Sequence, residues 1–508
     1  MLSTKSARQA GVPLIVVETN DSAQSVKTFR AELNGRADTS PMISHDLGSG
    51  VQAYNDVGGE LLQTLCGDED RTGMNPATFL INVAKLRSLE VEQPVYVLLF
   101  NPQLYWNLES GITIQQAVWN LRDVLKPSKS QLLMFVPTGT QLPDVLKSDV
   151  LVLKDTLPTP AELTEIIERT LNSAVKAGLD AKKIPDRVTI LKTLTGLPAF
   201  PAEQVLAMSI SREGVDTKNL WERKRQAIEQ TPGLSVWRGG ESFNDIGGYE
   251  NVKEFMRRII GGRDAPNAIV YQDEMEKFFG ANVTGDNTGV TQDQLGVQLA
   301  YMQDTNALGC MFLGVRGSGK SAIAKAIGNE AGIPTIALDL GGMKAGIVGS
   351  SEARLRSAFD VVSSISQGRV LFIATCNSVA TLPPELRRRY NYGTFFFDIP
   401  DSASRKKIWD IYKKKYPELA KEKTPSDEGW TGSEIRNCVM IAWNLKITLL
   451  DAAKYIVPVT VSDAVATTRL LESANNRYLD ASSAGLFQYK SKSKSSAANS
   501  GERKMELD

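Results

Sequence analysis

The chain has 508 residues, 58 of them Lys or Arg and 58 Asp or Glu, with 42% hydrophobic residues. That length exceeds what one hydrophobic core supports and predicts two or three domains, while the balanced charge excludes a global pull toward nucleic acid or an anionic membrane. No apolar run is long enough to span a bilayer, and Met1-Leu2-Ser3-Thr4-Lys5 lacks a signal-peptide core, so a cytoplasmic protein without membrane contact is expected. Cys66, Cys310, Cys376 and Cys438 are scattered without metal-ligand spacing and read as reduced core residues. The one histidine, His45, sits in a polar stretch, which excludes a multi-histidine metal site.

Up to residue 235, apolar strand runs alternate with amphipathic helices, the pattern of an α/β domain. Strands are predicted over 12–17, 95–100, 132–136 and 150–153, and helices over 77–88 and 114–125. No glycine-rich loop follows the first strand, where Glu18-Thr19-Asn20-Asp21-Ser22 stands, and the strand over 95–100 ends in Asn101-Pro102 where a metal-holding strand needs acids. Turn segments repeat later in the chain. Gln141-Leu142-Pro143-Asp144 parallels Thr381-Leu382-Pro383-Pro384, and Leu157-Pro158-Thr159-Pro160 parallels Ile399-Pro400-Asp401-Ser402. The first 235 residues therefore read as a copy of the later module that has lost its nucleotide site; coincidental turns in an unrelated α/β domain are the alternative.

Thr231-Pro232-Gly233 marks a junction, after which Phe243-Asn244-Asp245-Ile246-Gly247-Gly248-Tyr249 leads into a helix through Val252, Phe255, Met256 and Ile259. Gly314-Val315-Arg316-Gly317-Ser318-Gly319-Lys320-Ser321 fills every fixed position of the phosphate-cradling pattern, with a strand-like run before it and a helix pattern from Ala322 after it. In such a loop the backbone N–H groups close around phosphates, Lys320 reaches the terminal phosphates and Ser321 holds magnesium, so ATP and Mg2+ are the implied cofactors. Gly314, Gly317, Ser318, Gly319, Lys320, Ser321 and Ala322 are the expected contacts. Downstream, 335–339 reads as a second strand, 352–362 as a helix, and 370–377 as a strand ending in Asn377. Arg387-Arg388-Arg389 follows, then a helical lid from Ser402 that includes Gly432-Ser433-Glu434-Ile435-Arg436. From residue 488 onward Lys490, Lys492 and Lys494 alternate with serines in a compositionally disordered tail.

These segments together resemble the AAA family of ATPases, and most of all its bacterial and plastid members that pair a degenerate N-terminal half with one active C-terminal module. The resemblance implies an α/β fold with a P-loop parallel sheet and helical lid, Mg-dependent hydrolysis of ATP to ADP and phosphate, and a homo-oligomer of about six subunits per ring or helical turn. It carries over Asp245, Ile246 and Gly247 as nucleotide contacts and Asn377 as the residue orienting the attacking water. It also makes Arg388 and Arg389 arginine fingers acting on a neighbouring subunit, and Arg436 a second phosphate-sensing arginine. A solvated face is the alternative for the first pair, and a lid salt bridge for Arg436. Threading relatives carry a pore loop where 345–352 stands, and Ile347 in place of their usual aromatic argues against processive threading. The expected domains are 1–235, 236–400, 401–487 and 488–508.

A family member also needs an acidic pair at the end of an apolar strand, and the usual slot, between the helix ending near Ser366 and the strand opening at Gly368-Arg369, is empty. Instead Ala268-Ile269-Val270-Tyr271-Gln272-Asp273-Glu274 stands upstream of the phosphate loop, followed by the helix pattern Met275-Glu276-Lys277-Phe278-Phe279 and a glycine-rich loop over 285–289. This predicts a permuted core in which the strand–helix unit has moved ahead of the loop yet still lies between the strands that begin at Thr335 and Val370. Asp273 would then support magnesium and Glu274 activate water. Asp339 and Asp360 compete for the role, but Leu340 follows the first and the second lies in a helical pattern. The expected function is an oligomeric motor or remodelling switch with shared sites, acting on an undetermined protein or nucleic acid. The alternative is a nucleic-acid-binding or assembly protein whose polymerisation nucleotide controls, with Lys406, Lys407, Lys413, Lys414 and Lys415 around Trp409 and Tyr412 as candidate contacts.

Overall fold

A computed structural model describes residues 4–489 apart from 20, 34, 68–72, 107, 109–110, 156, 212, 281–289, 344–349 and 379–381. The predicted glycine-rich loop over 285–289, Ile347 and the tail from Lys490 lie outside the described residues. The chain divides into two compact units, one formed by residues 1–236, 292–298 and 339–368, the other by 237–291, 299–338 and 369–508.

The first unit holds a six-stranded sheet of β1 (Leu14–Glu18), β2 (Met42–Asp46), β3 (Gly50–Ala53), β4 (Tyr96–Phe100), β5 (Gln131–Val136) and β6 (Leu151–Lys154), in the spatial order β3-β2-β4-β5-β1-β6. Its pairs are parallel except for the β2–β3 hairpin. β4 and β5 are apolar and buried along almost their whole length, as parallel strands covered on both faces require. The helix Gly111–Leu125 turns Ile114, Val118, Leu121 and Leu125 toward a core shared with Phe79 and Trp106, the spacing of one helical face. At the carboxyl end of β1, where a nucleotide-binding sheet has its phosphate loop, polar side chains bond to one another beside a cavity of about 660 Å³ that Glu18, Thr19, Asp21 and Asp155 help to line. Thr19 Oγ1 donates to Asp155 Oδ2 at 2.9 Å, Ser25 Oγ donates to the same oxygen at 2.5 Å, and Asp21 caps the helix Ser22–Glu32.

The predicted strands are present within two residues of their expected ends, but the hairpin is an addition, because Ser44 and His45 masked an apolar run. His45 is fully buried, not set among polar groups. Its Nε2 lies 2.9 Å from the Met74 carbonyl oxygen, its ring stacks on Phe79 at 5.5 Å, and burial pushes its pKa down.

The second unit contains β7 (Ala268–Gln272), β8 (Leu308–Gly314), β9 (Thr335–Leu338), β10 (Val370–Cys376), β11 (Thr394–Phe397) and β12 (Leu479–Asp480), in the order β12-β11-β8-β10-β7-β9 with parallel neighbours. β7 pairs with β10 from Ala268↔Val370 to Gln272↔Ala374 and with β9 from Ile269↔Thr335, so it lies between two strands that follow it in sequence. In the first sheet the corresponding place, between β2 and β5, is held by β4, which there stands between them in sequence too. Phe312, Phe395 and Phe397 are buried in the core of this unit, with the Phe312 and Phe397 rings 5.0 Å apart. A helical lid packs the helices Ser402–Lys415, Gly432–Leu445 and Leu449–Ala452 around Ile408, Trp409, Trp430, Ile435 and Val439. Trp409 is buried and donates from Nε1 to Asp427 Oδ2 at 2.9 Å, so it is closed to stacking on a base. Of the surrounding lysines, Lys407 pairs with Glu250 at 3.0 Å and Lys413 donates to the Glu422 carbonyl. Among the described residues no helix is long and apolar enough to cross a membrane.

Phe312→Ala removes a buried ring from β8 and is expected to cost about 3–5 kcal/mol. Urea unfolding followed by tryptophan fluorescence will read this as a lowered midpoint, and an unchanged midpoint would exclude β8 from the core.

Candidate functional site

The phosphate loop joins β8 to the helix Lys320–Ala331. Gly317 has φ +75°, and a Cβ there would meet Thr431 Oγ1 at 2.9 Å and Ser433 Cβ at 3.1 Å, so the lid approaches the loop through a position only glycine can occupy. Ser433 N donates to the Gly317 carbonyl oxygen at 3.2 Å. The N-cap of the following helix is Gly319, at φ +103°, and no side chain caps it. The first N–H groups of that helix, with the positive end of its dipole, are therefore left for an anion.

Lys320 is 6% exposed, and its Nζ donates to Gly314 O at 2.9 Å, Val315 O at 2.8 Å and Asn377 Oδ1 at 3.0 Å. Burial pushes its pKa down to about 8, opposed first by the negative charge of Glu276. Asp273, just past the end of β7, accepts from Ser321 Oγ at 3.1 Å and from Thr375 Oγ1 on β10. Burial resists its ionisation, but hydrogen bonds led by Thr375 outweigh that and hold the carboxyl below its usual range. The Glu274 backbone N–H donates to Thr375 Oγ1 at 3.0 Å, and Glu274 has φ +47°, a left-handed conformation that costs a non-glycine residue about 1–3 kcal/mol. Its carboxylate pairs with Lys277.

The structure thus brings together Lys320, Ser321, Asp273 and Asn377, with Glu274 alongside through Thr375. The competing acids have other attachments: Asp339 accepts from Gly342 N at 3.0 Å, and Asp360 lies 3.8 Å from Lys154. Arg388 and Arg389 end the helix Pro384–Arg389 and make no hydrogen bond to this cluster within the chain, among the described residues. Arg388 is exposed, while Arg389 donates to Gln303 Oε1 at 2.6 Å. The next residue, Tyr390, donates to Gln272 Oε1 at 2.7 Å and so anchors the arginine helix to the end of β7. Arg436 is exposed on the lid helix whose start touches the loop. Ile246 and Gly247 line a cavity of about 300 Å³ with Lys253, Arg257, Lys407 and Ile411. Asp245 does not line it, because its carboxylate accepts from Ser242 N at 2.8 Å and Ser242 Oγ at 2.9 Å in a helix cap.

Two residues of the cluster went unmarked in the sequence. Thr375 looks like one more apolar-strand residue until β10 is set beside β7. Glu276 stands one helical turn beyond Asp273 and accepts from Asn377 Nδ2 at 2.6 Å; the three-residue spacing is its only sequence signal.

A phosphate chain favours the charged form of Lys320, so above pH about 8 binding has to take up a proton. Affinity for ATP should then fall with rising pH, approaching about tenfold per unit. Equilibrium titrations from about pH 7 to 9.5 check this, and a flat profile would show that Lys320 stays charged across the range, against the lowering by burial.

Residues 310–373 match the family model described as ATPase family associated with various cellular activities (AAA), a segment that begins in β8 and ends in β10. β7 and its acids lie upstream of the matched segment. The chain is also similar to proteins named uncharacterized AAA domain-containing protein ycf46. The one from Trieres chinensis is 25% identical over 72% of this chain and 76% of its own length, and the one from Guillardia theta 22% over 73% and 75%. That from Gracilaria tenuistipitata var. liui is 25% identical over 66% and 71%. The matched segment thus carries the phosphate loop and parallel strands around it, and in that segment the chain is similar to the AAA family of ATPases.

Proposed function

We propose that this protein is a magnesium-dependent ATPase whose acidic strand and helix, residues 268–280, have been transposed ahead of the phosphate loop, and whose sites are completed by a neighbouring copy. The observation that carries the reading is the 3.1 Å hydrogen bond from Ser321 Oγ to Asp273 Oδ1. The position of β7 between β9 and β10 supports the transposition, since the first sheet has the same spatial order with its strands in ordinary sequence. That shared order, with Glu18-Thr19-Asn20-Asp21-Ser22 in place of a phosphate loop after β1, supports reading the N-terminal half as a degenerate module of the same type.

In this reading Lys320 holds the terminal phosphates. Ser321 and Asp273 fit Mg2+, because they set two hard oxygen donors side by side and leave the remaining positions to phosphate and water, as this ion prefers. Bound magnesium neutralises charge on the phosphate oxygens. Glu274 serves as the base once its carboxylate leaves Lys277, and Asn377 orients the water. Arg388 and Arg389, having no role in their own chain's cluster, act on the site of the next copy in a ring or open helix. The action on a partner is that of a motor or remodelling switch. The nucleic-acid alternative loses support from the burial of Trp409.

Glu274→Gln should leave ATP affinity within about twofold while lowering hydrolysis at least a hundredfold, since the amide keeps the shape and loses the base. Binding by fluorescence titration and phosphate release check the two halves; hydrolysis that survives would remove Glu274 as the base. Lys320→Ala should abolish binding.

Assemblies mixing Arg388→Ala/Arg389→Ala copies with Glu274→Gln copies should recover part of the turnover that each variant lacks alone. Continued inactivity after verified co-assembly would show that the arginines do not act between subunits.

A further inference from the structure

The cluster contains an amide held between two charges. Asn377 Nδ2 donates to Glu276 Oε1 at 2.6 Å, while Asn377 Oδ1 accepts from Lys320 Nζ at 3.0 Å. An ammonium can only donate and a carboxylate can only accept, so an amide between them has one allowed orientation; the flipped form would set N–H against the ammonium and oxygen against the carboxylate. We propose that Glu276 is a positioning residue that fixes the Asn377 amide so that it enters the nucleotide site as a hydrogen-bond acceptor.

The consequence follows from the hydrogens available to Lys320. Its three N–H groups are all committed, to Gly314 O, Val315 O and Asn377 Oδ1. A phosphate must displace at least one of these acceptors, and Asn377 Oδ1 is the one that does not belong to the loop. Once released, that oxygen still faces the site because Glu276 keeps the amide nitrogen, and it can accept a proton of a water without turning. Both end bonds are charge-assisted and so about twice as strong as neutral ones. Asp273 and Glu276 sit three residues apart, so one short segment supplies both the acid beside Ser321 and the anchor of Asn377.

This inference rests on the nucleotide-site reading above, and a reciprocal exchange tests it. Asn377→Asp presses one carboxylate against another, and should lower the Tm of the nucleotide-free protein and weaken binding of a fluorescent non-hydrolysable ATP analogue about tenfold. Glu276→Gln alone should change affinity by no more than a few-fold, since its amide oxygen still accepts from Asn377. The double variant Glu276→Gln/Asn377→Asp reverses donor and acceptor at their shared bond while leaving an oxygen for Lys320. It should regain the Tm and affinity of Glu276→Gln. A double variant no better than Asn377→Asp overturns the proposal. If the analogue binds not even the wild-type protein, the nucleotide-site reading fails on its own, while rescue of Tm in the ligand-free protein still decides the polarity of the amide.

Discussion

The hydrogen bond between Ser321 and Asp273 depends on where a strand lies in a sheet. Neighbouring strands are about 4.8 Å apart, so moving β7 one place over would carry its terminal carboxylate beyond hydrogen-bonding reach of both Ser321 and Thr375. Between β9 and β10, the carboxyl end of β7 sits one strand from β8, the strand that feeds the phosphate loop. The backbone pairing of three parallel strands thus sets the position of an acid whose own contacts are few. The buried side chains on both faces of those strands hold that pairing, because a slip by one residue would exchange the two faces and misfit each core.

Lys320 shows the opposite arrangement, a charge stabilised by the loop it serves. Two carbonyls of its own loop and one side-chain oxygen satisfy a nearly buried ammonium. Burial of a charge without such partners would cost several kcal/mol. The ammonium is therefore fully paired before any ligand arrives, and a phosphate bound to it would replace one of these acceptors. Glu274 adds local strain beside it, through a left-handed backbone held by Thr375.

The phosphate loop was legible because its glycines, lysine and serine have few other uses at that spacing. The strand over Ala268–Gln272 was legible for a different reason: a short, mostly apolar run reads as a buried strand wherever it falls in the chain, and pairing sets its place in the sheet. Asp245 was named from a family resemblance, and its carboxylate caps a short helix through Ser242, a local bond that the resemblance did not include. His45 misled because polarity of neighbours in sequence says little about a strand whose faces alternate. Thr375 and Glu276 could not be found from sequence, since their roles exist only once β7 and β10 lie side by side. The aromatic and basic residues around Trp409 illustrate the same limit, because a helix periodicity allowed them to face outward and lid packing turned the ring inward.

The place of β7 in the sheet also bears on how the chain reaches its native state. In the first sheet β4 joins β5 through residues 96 and 131, whereas β7 joins β10 through residues 268 and 370. That roughly threefold greater separation adds about 0.9 kcal/mol to the entropy of closing the loop. It also leaves a strand destined for full burial without its β10 partner until about a hundred further residues have been synthesised. The β7–β10 pairing is thus more non-local than its counterpart β4–β5, and slower to form by the same argument. During that interval β7 is an unpaired hydrophobic edge, the kind of surface on which chaperones act and aggregates begin.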